Sequence, residues 1–267
     1  MELHGKIQQQ LVIAIIPARY GSIRLPGKML LDIAGKPLIL HTLAQTQKAR
    51  NVARVIVATD DQRILDVVNQ SGGEAVMTSP DHRSGSDRLA EVAETLPAGS
   101  IIVNVQGDEP TISPLTIEAA VEALVNDDSA DMSTTCENIQ SIDDLMNGNI
   151  VKVVTNDAGY AVYFSRSPIP YPRDAALAQG GPDKALHEKP ELLSLFRKHT
   201  GLYAYRREFL LKYTAMPQTK LERIEMLEQL RALENGAKIK VVEVDRQSIG
   251  VDTLEDLQLI RTMLSGT

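Results

Sequence analysis

Residues 11–28, LVIAIIPARYGSIRLPGK, constrain the fold more than any other stretch of the chain. The apolar run over 11–16, rich in β-branched residues, reads as a strand buried on both faces, and Pro17 ends it abruptly. A charged loop follows. Arg19, Arg24 and Lys28 stand among Gly21, Ser22, Pro26 and Gly27, so three cations leave the carboxyl end of an inner strand, which is where an open α/β sheet binds its ligands. Glycine and serine let backbone N–H groups approach triphosphate oxygens while guanidinium and ammonium groups neutralise their charge. The loop is not a P-loop: five residues separate Gly21 from Gly27 where that motif has four, Met29 follows Lys28 in place of Ser or Thr, and Pro26 interrupts the run. The plainer reading is a solvated basic turn. Three cations directly after an inner strand weigh against it.

Beyond the loop the spacing repeats strand, helix, strand. A helix over 37–48, a strand over 54–58, a helix over 62–70 closed by Gly72 and Gly73, and a strand over 74–77 are followed by a helix over 86–96, a strand over 101–105 and a helix from Ser113 and Pro114 to Val125. This alternation predicts an α/β fold, a Rossmann-like, mostly parallel sheet flanked by helices. After Asn126 the pattern changes. Residues 150–155 and 160–165 flank Asn156-Asp157-Ala158-Gly159 and predict an antiparallel hairpin insertion, prolines 168, 170 and 172 impose an extended course, and 173–189 has too little periodicity to assign. A strand over 199–205, an amphipathic helix over 220–234 with Leu221, Ile224, Leu227, Leu230 and Leu233 inward, a strand over 239–244 and a helix over 254–264 complete the chain. The expected division is a nucleotide-binding core over 11–126 and 206–267, an insertion over 127–205, and a polar extension over 1–10.

At 267 residues, 43% hydrophobic and 24% charged, the chain has the balance of a globular protein able to bury a substantial core. A net charge of -7 argues against general nucleic-acid binding, so the cations of the loop read as a local anion site. The single cysteine, Cys136, fits a reducing compartment; with no long apolar stretch and no signal peptide in view, the expectation is a cytoplasmic protein without a membrane partner.

Two turns carry carboxylates. VNVQGDEP places Gln106, Asp108 and Glu109 directly after a buried strand, on the sheet edge that bears the cationic loop, where a Mg²⁺ ion held by one or two carboxylates and phosphate oxygens would sit. Asp252, in GVDTLEDL, precedes the last helix, where its alternative role is an N-cap forming a capping box with Glu255. Residue types alone leave both open. The run PARYGSIRLPGK, followed in order by VNVQGDEP, YFSRSPIPYPR, HTGLYAYR, EMLEQLR and GVDTLEDL, resembles the sugar-acid cytidylyltransferases and spans nearly everything from Leu11 to Leu264.

The resemblance implies a nucleotidyltransferase fold and transfer of CMP from CTP to a sugar acid, with 3-deoxy-manno-octulosonate (KDO) favoured by HTGLYAYR and EMLEQLR, as a step towards lipopolysaccharide. It implies a homodimer, and Mg²⁺ on Asp108 and Asp252, with Lys28 and Arg24 joining them at the reaction centre. At the nucleotide it places Ala18, Arg19, Ser22, Arg24, Lys28, Thr78, Ser84, Arg88 and Gln106. At the sugar it places Gln106, Arg166, His199, Tyr203, Glu228 and Gln229. Each has an ordinary structural alternative: Arg166 as a surface arginine on a hairpin end, His199 and Tyr203 as core residues on one strand face, Glu228 and Gln229 as solvent-facing helix positions. Two departures from the family pattern, Ile23 and Met29, fall in the phosphate loop and remove no charge. The rival functions are transfer to a sialic-acid-like nonulosonate or a sugar phosphate, and a catalytically silent nucleotide-binding regulator.

Overall fold

The computed structural model describes residues 10–22, 24–245 and 248–265, so Ile23 and all of the expected extension except Gln10 lie outside the described residues. The first half follows the expected alternation closely. β1 (Val12–Ala18) is followed by a short pair, β2 (Asp32–Ile33) and β3 (Lys36–Pro37), then α1 (Leu38–Thr46), β4 (Arg54–Thr59), α2 (Gln62–Gln70), β5 (Glu74–Met77), α3 (Gly85–Glu94), β6 (Ile101–Asn104) and α4 (Pro114–Val125). The second half adds β7 (Met132–Asn138), α5 (Ile142–Met146), β8 (Lys152–Thr155), β9 (Ala161–Ser165), α6 (Arg173–Gln179), α7 (Pro182–Glu188) and β10 (Arg197–Arg206). It closes with α8 (Arg207–Thr214), α9 (Lys220–Glu225), α10 (Gln229–Glu234), β11 (Ile239–Glu243) and α11 (Leu254–Ser265). No described helix is long and apolar enough to cross a membrane.

The main sheet runs β11-β7-β10-β6-β1-β4-β5, with the β8–β9 hairpin paired to β10. β6, β1, β4 and β5 are mutually parallel, β11 is parallel to β7, and β10 runs antiparallel between β6 and β7. Residues 12–16 of β1 are wholly buried. Alternate side chains enter opposite layers, Val12, Ala14 and Ile16 against α1, α2, α4 and α11, and Ile13 and Ile15 against α3 and α8. Full burial stabilises such a valine or isoleucine by about 1.5–3 kcal/mol, which favours β1 as an inner strand, between β6 and β4.

β7 and β10 lie inside the main sheet, and Val153 and Phe164 of the β8–β9 hairpin join its core, so most of the stretch 127–205 shares that core, while Leu145 of α5 and Leu186 of α7 pack in a small cluster of their own. β7 is silent in the sequence because its face residues are polar. Ser133 donates to the Ala120 carbonyl (2.6 Å) and Thr134 to the Leu202 carbonyl (2.7 Å), so these hydroxyls are buried without an apolar signature.

The helix expected over 220–234 is two. Met226 adopts left-handed geometry (φ 54°, ψ 49°) between α9 and α10, which turns Leu227 and Leu230 into the core and leaves Ile224 66% exposed rather than inward. A buried fork from Arg231 to Glu222 (2.9 and 2.6 Å) ties the halves together.

Candidate active site

A cleft of about 400 Å³ opens at the carboxyl ends of β1 and β6. The chain departs from β1 towards β4 on one side and β6 on the other, so this is the topological switch point of the sheet. One wall is the cationic loop, which folds back on Tyr20: its carbonyl accepts from the Ser22 and Gly27 N–H groups (3.0 and 3.2 Å), and Gly27 takes the left-handed φ of +68° that the turn requires. The Arg63 guanidinium, itself gripped by Asp61 (2.9 and 2.7 Å), covers the Tyr20 ring at 3.4 Å. So braced, the loop brings Arg19, Ser22, Arg24 and Lys28 to the cleft beside Ala18, Ser84, Arg88 and Gln106.

The opposite wall carries the two aspartates. Asp108 follows β6, and the Val251 N–H donates to its carbonyl (2.9 Å), which draws the turn before α11 alongside it. The cap of α11 is made by Thr253 and Asp256, whose carboxylate accepts from the Asp252 and Thr253 N–H groups (3.0 and 2.8 Å); the capping box with Glu255 is not formed, and the Asp252 carboxylate is left for the cleft. Lys28 bridges both acids at 2.6 Å (Asp108) and 3.0 Å (Asp252), and Arg24 reaches Asp252 at 3.0 Å. Lys28 is only 6% exposed. Burial alone would lower its ammonium, but the carboxylates of Asp108 and Asp252 outweigh burial and hold its pKa above the usual lysine value. The neighbouring Glu109 is pushed up to about 7, mainly by burial and further by the nearby Asp108 and Glu137 charges.

Two of the nucleotide candidates are tied to other residues of the chain. The Arg88 guanidinium is held by Asp60 (2.6 Å) and by the Thr78 hydroxyl, and Thr78 donates to the Thr59 carbonyl (3.1 Å). Arg88 therefore lines the cleft as a braced wall residue, and Thr78 sits behind it, outside the lining.

A second cavity of about 310 Å³ adjoins the first, and Gly85 and Gln106 line both. Its floor is an aromatic column on and beside β10: His199, Tyr203, Tyr205 and Tyr213 follow one another at ring separations of 5.3, 5.7 and 6.2 Å. Burial pushes His199 down to about 3, so at neutral pH it is an uncharged ring, 2.9 Å from the Thr134 hydroxyl. Burial likewise raises the Glu228 carboxyl, against the opposing hydrogen bond from the Ser86 hydroxyl (2.9 Å). Gln106, His199, Tyr203, Glu228 and Gln229 all line this cavity.

Arg166 does not. Its guanidinium donates to three backbone carbonyls, of Glu225 (2.7 Å), Gly148 (2.9 Å) and Met226 (3.3 Å), and so holds the turn between α9 and α10. Fully buried Lys152 stands in the same neighbourhood, bound to the carbonyls of Asn147 and Ile150 (3.1 and 2.7 Å). Sequence reasoning also passed over Ser86, Asn104, Tyr205 and Tyr213, which line the second cavity. Tyr205 lies two residues beyond Tyr203 on one strand, and that alternation was its available signal.

The cytidylyltransferase family model matches residues 13–239. The chain belongs to the cytidylyltransferase family. It is 56% identical over 246 residues to the 3-deoxy-manno-octulosonate cytidylyltransferase of Trichlorobacter lovleyi, covering 92% of this chain and 95% of that protein. The protein of that name from Geobacter sulfurreducens is 50% identical over 253 residues, covering 93% and 97%. A solved CMP:2-keto-3-deoxy-manno-octonic acid synthetase in complex with CTP superposes with a TM-score of 0.85 at 41% identity, over 96% of this chain and 99% of that one.

The donor set fits a hard divalent cation. Oδ2 of Asp108 and Oδ1 of Asp252, from separate turns, already converge on one positive centre, the Lys28 ammonium, and no group of three or more His, Cys, Asp or Glu side chains that could cage a metal occurs among the described residues. Two carboxylates, completed by phosphate oxygens and water, suit a hard divalent cation.

Gly107 makes the close approach of these walls possible. A Cβ there would stand 2.8 Å from the Pro17 carbonyl oxygen, whereas one at Gly21 would meet nothing within 4 Å. Gly107→Ala is expected to lower unfolding free energy by about 1–3 kcal/mol in urea titration, the usual range for an overpacked site, and Gly21→Ala to leave it unchanged. Equal midpoints for the two variants would contradict the tight apposition of β1 and β6.

Proposed function

We propose that this chain transfers CMP from CTP to the anomeric hydroxyl of KDO, releasing pyrophosphate. The observation that carries the reading is the contiguity of two unlike cavities. One is lined by Arg19, Arg24 and Lys28 and by two convergent aspartates; the other presents neutral and acidic hydrogen-bonding groups, and none of the described residues lining it is Lys or Arg. A triphosphate suits the first and a polyhydroxylated sugar the second, meeting where Gln106 lines both. The names of the relatives support CTP and KDO as the occupants.

In this reading the new bond joins the anomeric oxygen to the α-phosphorus, the α–β bridging P–O bond breaks in line with it, and the hydroxyl proton leaves to solvent. Asp108 and Asp252 would hold Mg²⁺, which polarises the α-phosphate and favours the deprotonated hydroxyl. Lys28 and Arg24 move from the aspartates towards the β- and γ-phosphates, where Arg19 and the backbone N–H groups of the loop offset the charge developing on pyrophosphate. Ala18, Ser22, Ser84 and Arg88 complete the nucleotide wall, with Thr78 bracing Arg88 from behind. Gln106, His199, Tyr203, Glu228 and Gln229 hydrogen-bond the sugar, and Arg166 serves it at one remove by fixing the turn that presents Glu228.

The expected homodimer is placed on the 127–205 stretch, whose Val162, Tyr171 and Leu177 are each at least 60% exposed. A cytoplasmic location agrees with use of the nucleotide pool and with one unpaired cysteine. Pyrophosphate release, measured with each common nucleoside triphosphate against KDO, N-acetylneuraminate and hexose 1-phosphates, tests the reaction. CTP with KDO is expected to exceed every other pair by at least about 100-fold in kcat/KM, since a site built to hydrogen-bond its substrate rejects analogues lacking the group. A purine nucleotide or a nonulosonate leading that panel would overturn the assignment.

A further inference from the structure

We propose that Asn104 is a further specificity-determining residue of this site, its side-chain carbonyl accepting a hydrogen bond from one hydroxyl of the sugar acid. The inference rests on the proposed reaction. Asn104 is the last residue of β6, flanked by Ile15 of β1 and Tyr203 of β10 in the strand register. Ile101, Ile102, Val103 and Val105 around it are apolar and wholly or almost wholly buried. Asn104 is itself only 4% exposed and lines the second cavity, while its Oδ1 is shut from solvent without a hydrogen-bond partner, so that a turn of the amide about its last torsion would present it to a ligand.

A buried acceptor without a donor is unfavourable, and a leucine of nearly the same shape would remove that cost while continuing the apolar strand. The polar choice is explained if the missing donor arrives with the ligand. The other groups on the cavity wall are consistent with this. His199 is neutral, Tyr203 and Tyr205 are phenols, whose ionisation burial disfavours further, and Gln229 and Glu228 complete a set of hydroxyl-binding groups. An amide at the end of β6 reads the sugar beside Glu228, which a separate turn supplies. It discriminates between sugar acids that do and do not carry a hydroxyl at that depth.

The test compares the wild-type enzyme with Asn104→Leu and Asn104→Ala, using KDO and a series of its monodeoxy analogues. In both variants the KM for KDO is expected to rise about 10-fold with kcat little changed, while titration calorimetry gives the wild-type affinity for CTP. One monodeoxy analogue should lose about 10-fold in kcat/KM on the wild-type enzyme and nothing further on the variants, which locates the hydroxyl. Asn104→Leu should melt at or above the wild-type temperature. If Asn104→Leu does not fold, Asn104→Ala with the analogue series decides the question. Normal wild-type turnover of KDO with an unchanged KM in the folded variants overturns the role of Asn104 alone; absence of wild-type turnover with KDO overturns the reaction and this assignment together.

Discussion

Asp108→Asn and Asp252→Asn are each expected to lower turnover at least about 1,000-fold, a loss of about 4 kcal/mol of transition-state stabilisation. An amide keeps the shape of the side chain and removes the charge that binds a hard cation. Both variants should fold, because Lys28 keeps one carboxylate in either case, at 2.6 Å from Asp108 or 3.0 Å from Asp252. Circular dichroism and size-exclusion chromatography verify the fold, steady-state pyrophosphate release reads the rate, and Mn²⁺ titration in the presence of CTP reads the metal. Wild-type turnover in either variant would remove that residue from the metal site. Loss in Asp108→Asn alone would leave Asp252 as a counter-ion for Arg24 and Lys28 only.

Lys28→Met should produce two effects of opposite sign. Turnover falls by about 100-fold or more, because the loop loses the cation best placed to follow charge onto pyrophosphate. Divalent metal binding to the free protein tightens, by about 10-fold to 100-fold. The ammonium sits between the two carboxylates that a metal would need, so in the wild type an incoming ion must displace a charge-assisted contact worth about 1.5–3 kcal/mol. Methionine fills nearly the same buried volume without the charge. Mn²⁺ binding measured calorimetrically without nucleotide separates this from an ordinary loss of function: unchanged affinity would mean that Lys28 does not guard the metal site.

Parts of this arrangement were plain in the sequence. The buried strand over 12–16 and the cations after it follow from residue type and spacing, because a doubly buried strand must be apolar throughout and a phosphate loop must carry charge and glycine; Pro17 does not end the strand as expected, since β1 runs on to Ala18 with Pro17 and Ala18 paired to Ala58 and Thr59. The same holds for α2 and β5, found with the bounds 62–70 and 74–77 that their apolar spacing predicts. Polar elements were hidden. β7, MSTTCEN, has no apolar alternation, since Ser133 and Thr134 are satisfied by carbonyls of α4 and β10 that are distant in sequence. The stretch 173–189, too aperiodic to assign, forms the two short helices α6 and α7.

The sequence by itself determined the apolar strands and helices of the first half, that the sheet is mostly parallel with a ligand crevice at its carboxyl edge, and which residue types stand at that edge. The tertiary structure alone decided how those residues are used. Arg166 reads as a free guanidinium, yet three carbonyls from two other segments take three of its five N–H donors. Asp252 reads equally well as a helix cap, yet Asp256 takes the cap and releases it to the cleft. One amphipathic stripe over 220–234 becomes two helices, because Met226 turns left-handed while Arg166 and the Arg231–Glu222 fork fix the break. Periodicity records whether a position faces the core or the solvent. The partner of a buried polar group is set by chain segments far away in sequence, so its role, like that of Asn104, appears only when the donors and acceptors around it are counted in three dimensions.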